Sequence, residues 1–239
     1  MPRKQKEKDN WIDIVVNIVK TAQVVDIDNI IIEQDNIRAI DDAKTVVLFQ
    51  NEDVPSLSVG ALGMNRIGTF MQRYNIIKSQ NNPEFKAIED EDKGYVRSIL
   101  MKSDNTKVEY RCANPDTIQA PRKINDVPKY RLRIPSNSGA LMKNAQAAMS
   151  SEIVEISSDE DGVFFRCLDI NNDEFKHKIS DTAIDIEDED ADVAFSHKYP
   201  LKNILATMDS HSDSMFEVGE KGIITTSING LNILILPQV

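Results

Sequence analysis

The chain has 239 residues, enough for one large domain or two of ordinary size, each with its own core. Its 39 Asp and Glu against 28 Lys and Arg give a net charge of −11, which argues against generic nucleic-acid binding and requires any phosphate contact to come from a segregated basic surface. Cys112 and Cys167 are too few for a disulfide framework, the charged start MPRKQKEKDN is no signal peptide, and no apolar run reaches the length of a membrane span; a reduced, soluble, intracellular protein without a membrane partner is expected.

Beyond that start, which reads as unstructured, apolar residues recur at helical spacing over residues 10–23. Trp11, Ile14, Val15, Ile18, Val19 and Ala22 form one stripe, with Asp13, Asn17 and Lys20 opposite. Strand patterns follow at 29–33, 37–40 and 45–51. A second helix is predicted over 62–74, burying Met64, Ile67, Phe70, Met71 and Tyr74 and exposing Arg66, Thr69 and Arg73. Gly68 inside it costs about 1 kcal/mol relative to Ala, which predicts a closely packed neighbour, with close approach of DNA as the alternative. Strands at 95–102 and 107–113 flank the turn Ser103-Asp104-Asn105. Over 114–129 three prolines interrupt both periodicities, and the stretch reads as a linker.

The second half opens with a strand at 130–134 and a helix over 138–149 that buries Leu141, Ala145, Ala148 and Met149 and shows Lys143 and Gln146. Strands are predicted at 153–157, 162–168, 174–179, 183–186 and 193–196. Tyr199-Pro200 opens a helix over 201–208, with Leu201, Ile204, Leu205 and Met208 inward and Lys202 and Ala206 outward. Strands at 215–218, 223–228 and 231–236 close the chain, the last two split by an Asn229-Gly230 turn. Short turns dominate the connections, so the expected fold class is α+β, antiparallel sheet with a few short helices on one face. Its domains are 1–116 and 130–239, two similar halves joined by the linker 117–129. Quasi-repeated units of this kind tile a closed circle.

No catalytic constellation is visible. His177, His197 and His211 lie apart, and no His-Glu-x-x-His or paired-Cys spacing occurs. Gly60, Gly63 and Gly68 make no phosphate-binding loop. Asp169, Asn171 and Asp173 follow the spacing that opens a calcium loop, but Glu174 stands where that loop needs Gly and Ser180 where it needs a bidentate Glu. A solvated hairpin turn is expected there. Neither metal nor cofactor nor enzymatic activity is predicted.

The segments YRLRIPSNSGALMKNAQAAM, EIVEISSDEDGVFFRCLDINNDEFKHKI, DNIRAIDDAKTVVLFQ and SVGALGMNRIGTFMQR, with the strand-helix-strand-strand-strand ending on LPQ, give the chain its resemblance to DNA sliding clamps of the proliferating cell nuclear antigen type. The order and spacing of elements carry it over nearly the whole length. LPQ occupies the place of the family's terminal Ala-Pro-Lys, and Leu234 that of an aromatic pocket residue. The divergence matches that of phage clamps, and a viral source fits.

That resemblance implies a homotrimeric ring with sheets outside and the four short helices of each subunit lining a channel for double-stranded DNA, bound without sequence preference. It would turn Lys20, Arg66, Arg73, Lys143 and Lys202, with Lys198 and His211, toward phosphates, and leave the acidic runs 89–92 and 187–192 outside. A partner-peptide pocket would involve Ile40, Lys44, Val47, the linker residues Ile118, Ile124 and Val127, and Leu234, Leu236 and Pro237. Those linker residues equally well fasten the linker down. The subunit interface would pair the strand carrying Val108, Tyr110 and Cys112 with the one carrying Phe175, His177 and Ile179. Implied partners are a DNA polymerase and a clamp-loader ATPase. The implied place is the site of DNA replication: host cytoplasm for a phage protein, nucleus or viral factory for a protein of a eukaryotic virus. Two rivals are a clamp-fold subunit of a transcription or checkpoint heterotrimer and a β-rich viral structural or scaffold protein without a DNA role.

Overall fold

The structure, a computed structural model, describes residues 11–51, 54–121, 124–186 and 194–238. The charged start and the acidic run 187–192 lie outside the described residues. Elements run α1 (Trp11–Val24), β1 (Asn29–Glu33), β2 (Asn36–Ile40), β3 (Val46–Gln50), β4 (Leu62–Asn65), α2 (Ile67–Lys78), β5 (Glu84–Glu89), β6 (Val96–Lys102) and β7 (Lys107–Arg111). A short 3-10 turn at Pro115–Thr117 precedes β8 (Pro128–Ile134), α3 (Ser138–Met149), β9 (Ile153–Asp159), β10 (Gly162–Leu168), β11 (Glu174–Ser180) and β12 (Ile184–Asp185). Last come β13 (Phe195–Pro200), α4 (Leu201–Thr207), β14 (Ser214–Gly219), β15 (Ile224–Ile228) and β16 (Leu231–Ile235). The predominantly antiparallel pairing, with a lone parallel bridge at Ala61–Tyr95 among the isolated bridges of the described residues, makes this an α+β fold.

Two compact units emerge. The first holds 11–39, 49–120 and 229–231 of the described residues; the second holds 40–48, 121–228 and 232–238. In the first, β2, β1 and β4 lie side by side, as do β5, β6 and β7. β1 is central and carries Ile30, Ile31 and Ile32, all buried, because both of its faces are covered. α1 and α2 are neighbours; Val15, Val19, Ala22, Ile67 and Phe70 are fully buried. In the second unit β11, β10, β9 and β13 form one sheet, and β12, β8, β14, β15, β16 and β3 follow one another in another. α3 packs on β10 and β11, α4 on β13, and the two helices touch. The doubling is visible in the pairing order. β2-β1-β4 before α2 is repeated as β10-β9-β13 before α4, and each helix is followed by a three-strand meander.

Several expectations are revised. Residues 62–65 are strand β4, paired with β1, and the helix starts only at Ile67. Arg66 makes the corner by itself with a left-handed backbone (φ 60°), so no turn sequence announces the change. β5 had no forecast; its side chains are half-buried at best. In α3 the buried residues are Ser138, Met142 and Ala145, while Leu141 and Ala148 are exposed, because one large side chain decides the face of an alanine-rich helix. β13 runs through Tyr199 to Pro200 instead of stopping at 196. Asn229 and Gly230 both take positive φ (52° and 77°), as an Asn-Gly hairpin turn requires.

Gly68 has no tight neighbour: a Cβ there would meet only the Gln23 amide at 3.9 Å. Gly63 does, since its Cβ would lie 2.4 Å from the Ala113 carbonyl oxygen and 2.9 Å from the Pro115 nitrogen. Denaturant unfolding should therefore show Gly68→Ala stabilising the protein by up to about 1 kcal/mol, and Gly63→Ala destabilising it by about 1–3 kcal/mol because backbone cannot move aside cheaply.

Candidate nucleic-acid interface and docking groove

The four helices of the described residues carry one carboxylate, Asp13, against Lys20, Arg73, Lys78, Lys143 and Lys202. Lys20, Lys78, Lys143 and Lys202 are exposed. Lys202 stands in the first turn of α4, where the helix dipole favours an acid. Arg66 is exposed at the corner before α2. Arg73 is half-buried, and its Nη1 donates to the Glu109 carbonyl at 2.9 Å; part of its hydrogen-bonding capacity is spent on bracing α2 against β7. Lys198 and His211 are exposed but stand on β13 and in the loop after α4, not on a helix. Lys78 lies in the last turn of α2, four residues beyond the helix end expected at residue 74.

In the second unit a node at Thr45 organises the residues expected to form a docking pocket. Asp41 is buried; its Oδ1 accepts from the amides of Thr45 and Val46 at 2.7 Å, and its Oδ2 from the Thr45 hydroxyl at 2.8 Å. Asn203 of α4 donates to the same hydroxyl at 2.9 Å, and the Leu236 amide donates to the Thr45 carbonyl at 2.9 Å. The Gln238 amide then donates to the Lys198 carbonyl at 2.7 Å, laying the last residues along β13. Beside this node lies a concavity of about 430 Å³ lined by Ala43, Thr45, Ile153, Pro200, Lys202 and Gln238. Lys44 is exposed with φ 57°, Ile40, Leu236 and Pro237 are half-buried, and Val47 and Leu234 belong to the core. None of these expected residues lines the concavity itself. Asp41 and Asn203 escaped notice because a polar residue held by backbone amides looks, in sequence, like any loop residue.

The linker residues are divided. Ile118 is half-buried in the first unit, just after the 3-10 turn. In the second, Asp126 accepts from the amides of Lys221 and Ile223, both at 3.1 Å, while the Glu220 amide donates to the Val127 carbonyl at 3.2 Å. This clasp ties the linker to the β14–β15 turn and leaves Ile124 half-buried and Val127 66% exposed. Tyr199 holds the same turn by donating from its hydroxyl to the Gly222 carbonyl at 2.6 Å. Gly222 needs its positive φ (78°) and its bare Cα, because His197 Nδ1 would lie 2.6 Å from a Cβ.

Both strands expected at a subunit interface are sheet edges, β7 beside β6 and β11 beside β10. Val108, Cys112, Phe175 and His177 are half-buried. Tyr110 and Ile179 are buried, and the Tyr110 hydroxyl donates to the Asn65 carbonyl within the first unit; burial pushes its pKa up.

No family model matches the sequence, and no curated protein matches it. Among solved structures, the proliferating cellular nuclear antigen of Entamoeba histolytica superposes with a TM-score of 0.63 at 12% identity, over 95% of each chain. A chain from the structure of the C-terminal region of FEN-1 bound to A. fulgidus PCNA gives 0.60 at 15% identity, over 93% of this chain and 94% of that one. The chain therefore has the DNA sliding-clamp fold along nearly its whole length.

His197, between the rings of Phe195 (6.0 Å) and Tyr199 (6.4 Å), has its pKa held below the ordinary 6.5 by desolvation, with Asp126 opposing. The unfolded chain then binds a proton more readily than the folded one, so this contribution to stability is complete above pH 6.5 and is lost as pH falls toward the lowered folded value. Thermal melts from pH 7.5 to pH 5 should show a falling midpoint, and His197→Phe should remove part of that slope.

Proposed function

We propose that this chain is a sliding clamp: a non-enzymatic homotrimeric ring that encircles duplex DNA and tethers a replicative polymerase to it. The observation that carries the reading is the distribution of charge. A chain with 39 acids and 28 bases keeps all but one acid off the helices of the described residues, and the helices are the elements that a clamp-fold ring turns toward DNA. Their cations would meet phosphates, which carry no sequence information, so the ring slides. Tethering then works through effective concentration, since an encircling protein holds its partner near the primer end without tight DNA affinity. The groove beside Thr45 and the clasped linker are where a polymerase segment with apolar anchors would dock. Opening the ring would fall to a separate clamp-loader ATPase, and the place of action is the site of replication.

Topological binding has a direct test. Protein threaded on linear duplex, with the DNA then ligated into a circle, should stay with the circle through gel filtration at about 1 M salt, where screening reaches roughly 3 Å, and should come off once the circle is cut. Lys20→Gln with Lys143→Gln should weaken low-salt association with linear duplex while sparing retention on circles. Loss of protein from closed circles at high salt would contradict the clamp reading and favour the structural-protein rival.

A further inference from the structure

Hydrogen bonds beside the two open edges fix which backbone groups face outward. At β7 the Cys112 amide donates to the Arg97 carbonyl (3.0 Å), and the Ser103 amide to Thr106 (2.8 Å). Bonded pairs alternate along an antiparallel ladder, so Val108 and Tyr110 bond to β6, and the amides and carbonyls of Lys107, Glu109 and Arg111 face the open side. At β11 the Asp169 amide donates to the Asp173 carbonyl (3.1 Å); the same alternation turns the backbone of Glu174, Lys176 and Lys178 to the open side. In both strands the outward-facing backbone belongs to the residues with exposed, charged side chains. Antiparallel union of two copies would therefore place charged residues opposite charged ones and half-buried apolar ones opposite each other.

Charge then selects a register. With Glu109 opposite Lys176, Arg111 falls opposite Glu174, and Lys107 meets Lys178, whose charge Asp181 already balances at 2.9 Å. Sliding two residues one way sets Arg111 against Lys176, and the other way Glu109 against Glu174, both repulsive. One outward acceptor is already occupied. Arg73 Nη1 sits 2.9 Å from the Glu109 oxygen, the distance at which the amide of an added strand has to lie.

We propose that Arg73 gates the pairing of two copies of this chain: it caps the open edge of β7 in the free protomer and is displaced when β11 of a second copy adds with Lys176 opposite Glu109. An uncapped edge invites any strand, so the cap favours a partner able to compete for that carbonyl. Displacement returns the guanidinium to the exposed side of α2, so that the basic face is complete only in the assembled ring. This inference rests on the clamp reading and supplies its regulation.

The full-length chain and its Arg73→Leu variant are compared by mass photometry over a dilution series. Removing the competing donor should lower the concentration for half-assembly roughly fivefold, the weight of one net hydrogen bond. In parallel, Val108→Cys with His177→Cys, a non-bonded pair in this register where side chains come closest, should give covalent oligomers on oxidation, and Val108→Cys with Ile179→Cys should not. The native thiols compete poorly, because burial pushes Cys112 up to about 12 and raises Cys167 as well. Unchanged or weaker assembly of Arg73→Leu, or cross-linking by the second pair in place of the first, overturns the gate and leaves the ring standing. A wild-type chain that stays monomeric at every concentration overturns the clamp reading itself.

Discussion

The near-absence of carboxylates from the described helices is the constraint on which the clamp reading depends. The whole chain is acidic, and on that reading an acidic protein would be repelled by duplex DNA unless its charges were sorted. Sorting has a local cost: Lys202 opposes the dipole of its own helix, and Arg66 sits in a left-handed conformation that a non-glycine residue adopts only with strain. Both leave a cation on or beside a helix. The sheets, by contrast, carry acids and bases mixed along their exposed faces, as in the Arg131–Glu217 and Arg166–Glu174 pairs. Exposed pairs of that sort add little stability.

Two polar clasps give the second unit its fixed geometry. Asp41 shapes the loop before β3 through three hydrogen bonds, and Thr45 passes that order to α4 and to the last residues of the chain. Asp126 does the same for the linker and the β14–β15 turn. Each clasp satisfies backbone amides that no sheet reaches, which is what a loop near a groove needs if it is to keep its shape without a partner.

Much of the architecture was legible in the sequence because it rests on period and turn chemistry. The α1 stripe from Trp11 to Ala22, the isoleucine run of β1 and the Asn229-Gly230 turn are each dictated locally. What stayed hidden depends on tertiary context. Met64, Ile67, Phe70 and Met71 match helical spacing although Met64 belongs to a strand, since the break at Arg66 is one residue long. β5 lacks a buried face strong enough to show its period. For the candidate sites, the cations could be named from helical faces, whereas the attachment of Arg73 to Glu109, the hydroxyl bond of Tyr110 to Asn65 and the clasp of Asp126 arise from contacts remote in sequence; the Asp41 clasp is local, but a loop carboxylate does not show by itself which amides it holds.

The central claim is that copies of this chain close into a ring around a hole. Negative-stain electron microscopy of the purified protein, at concentrations where it is assembled, addresses that claim most directly. The account predicts uniform, threefold-symmetric annular particles with a central opening wide enough for duplex DNA. Filled particles, open filaments or monomers at every concentration would contradict it.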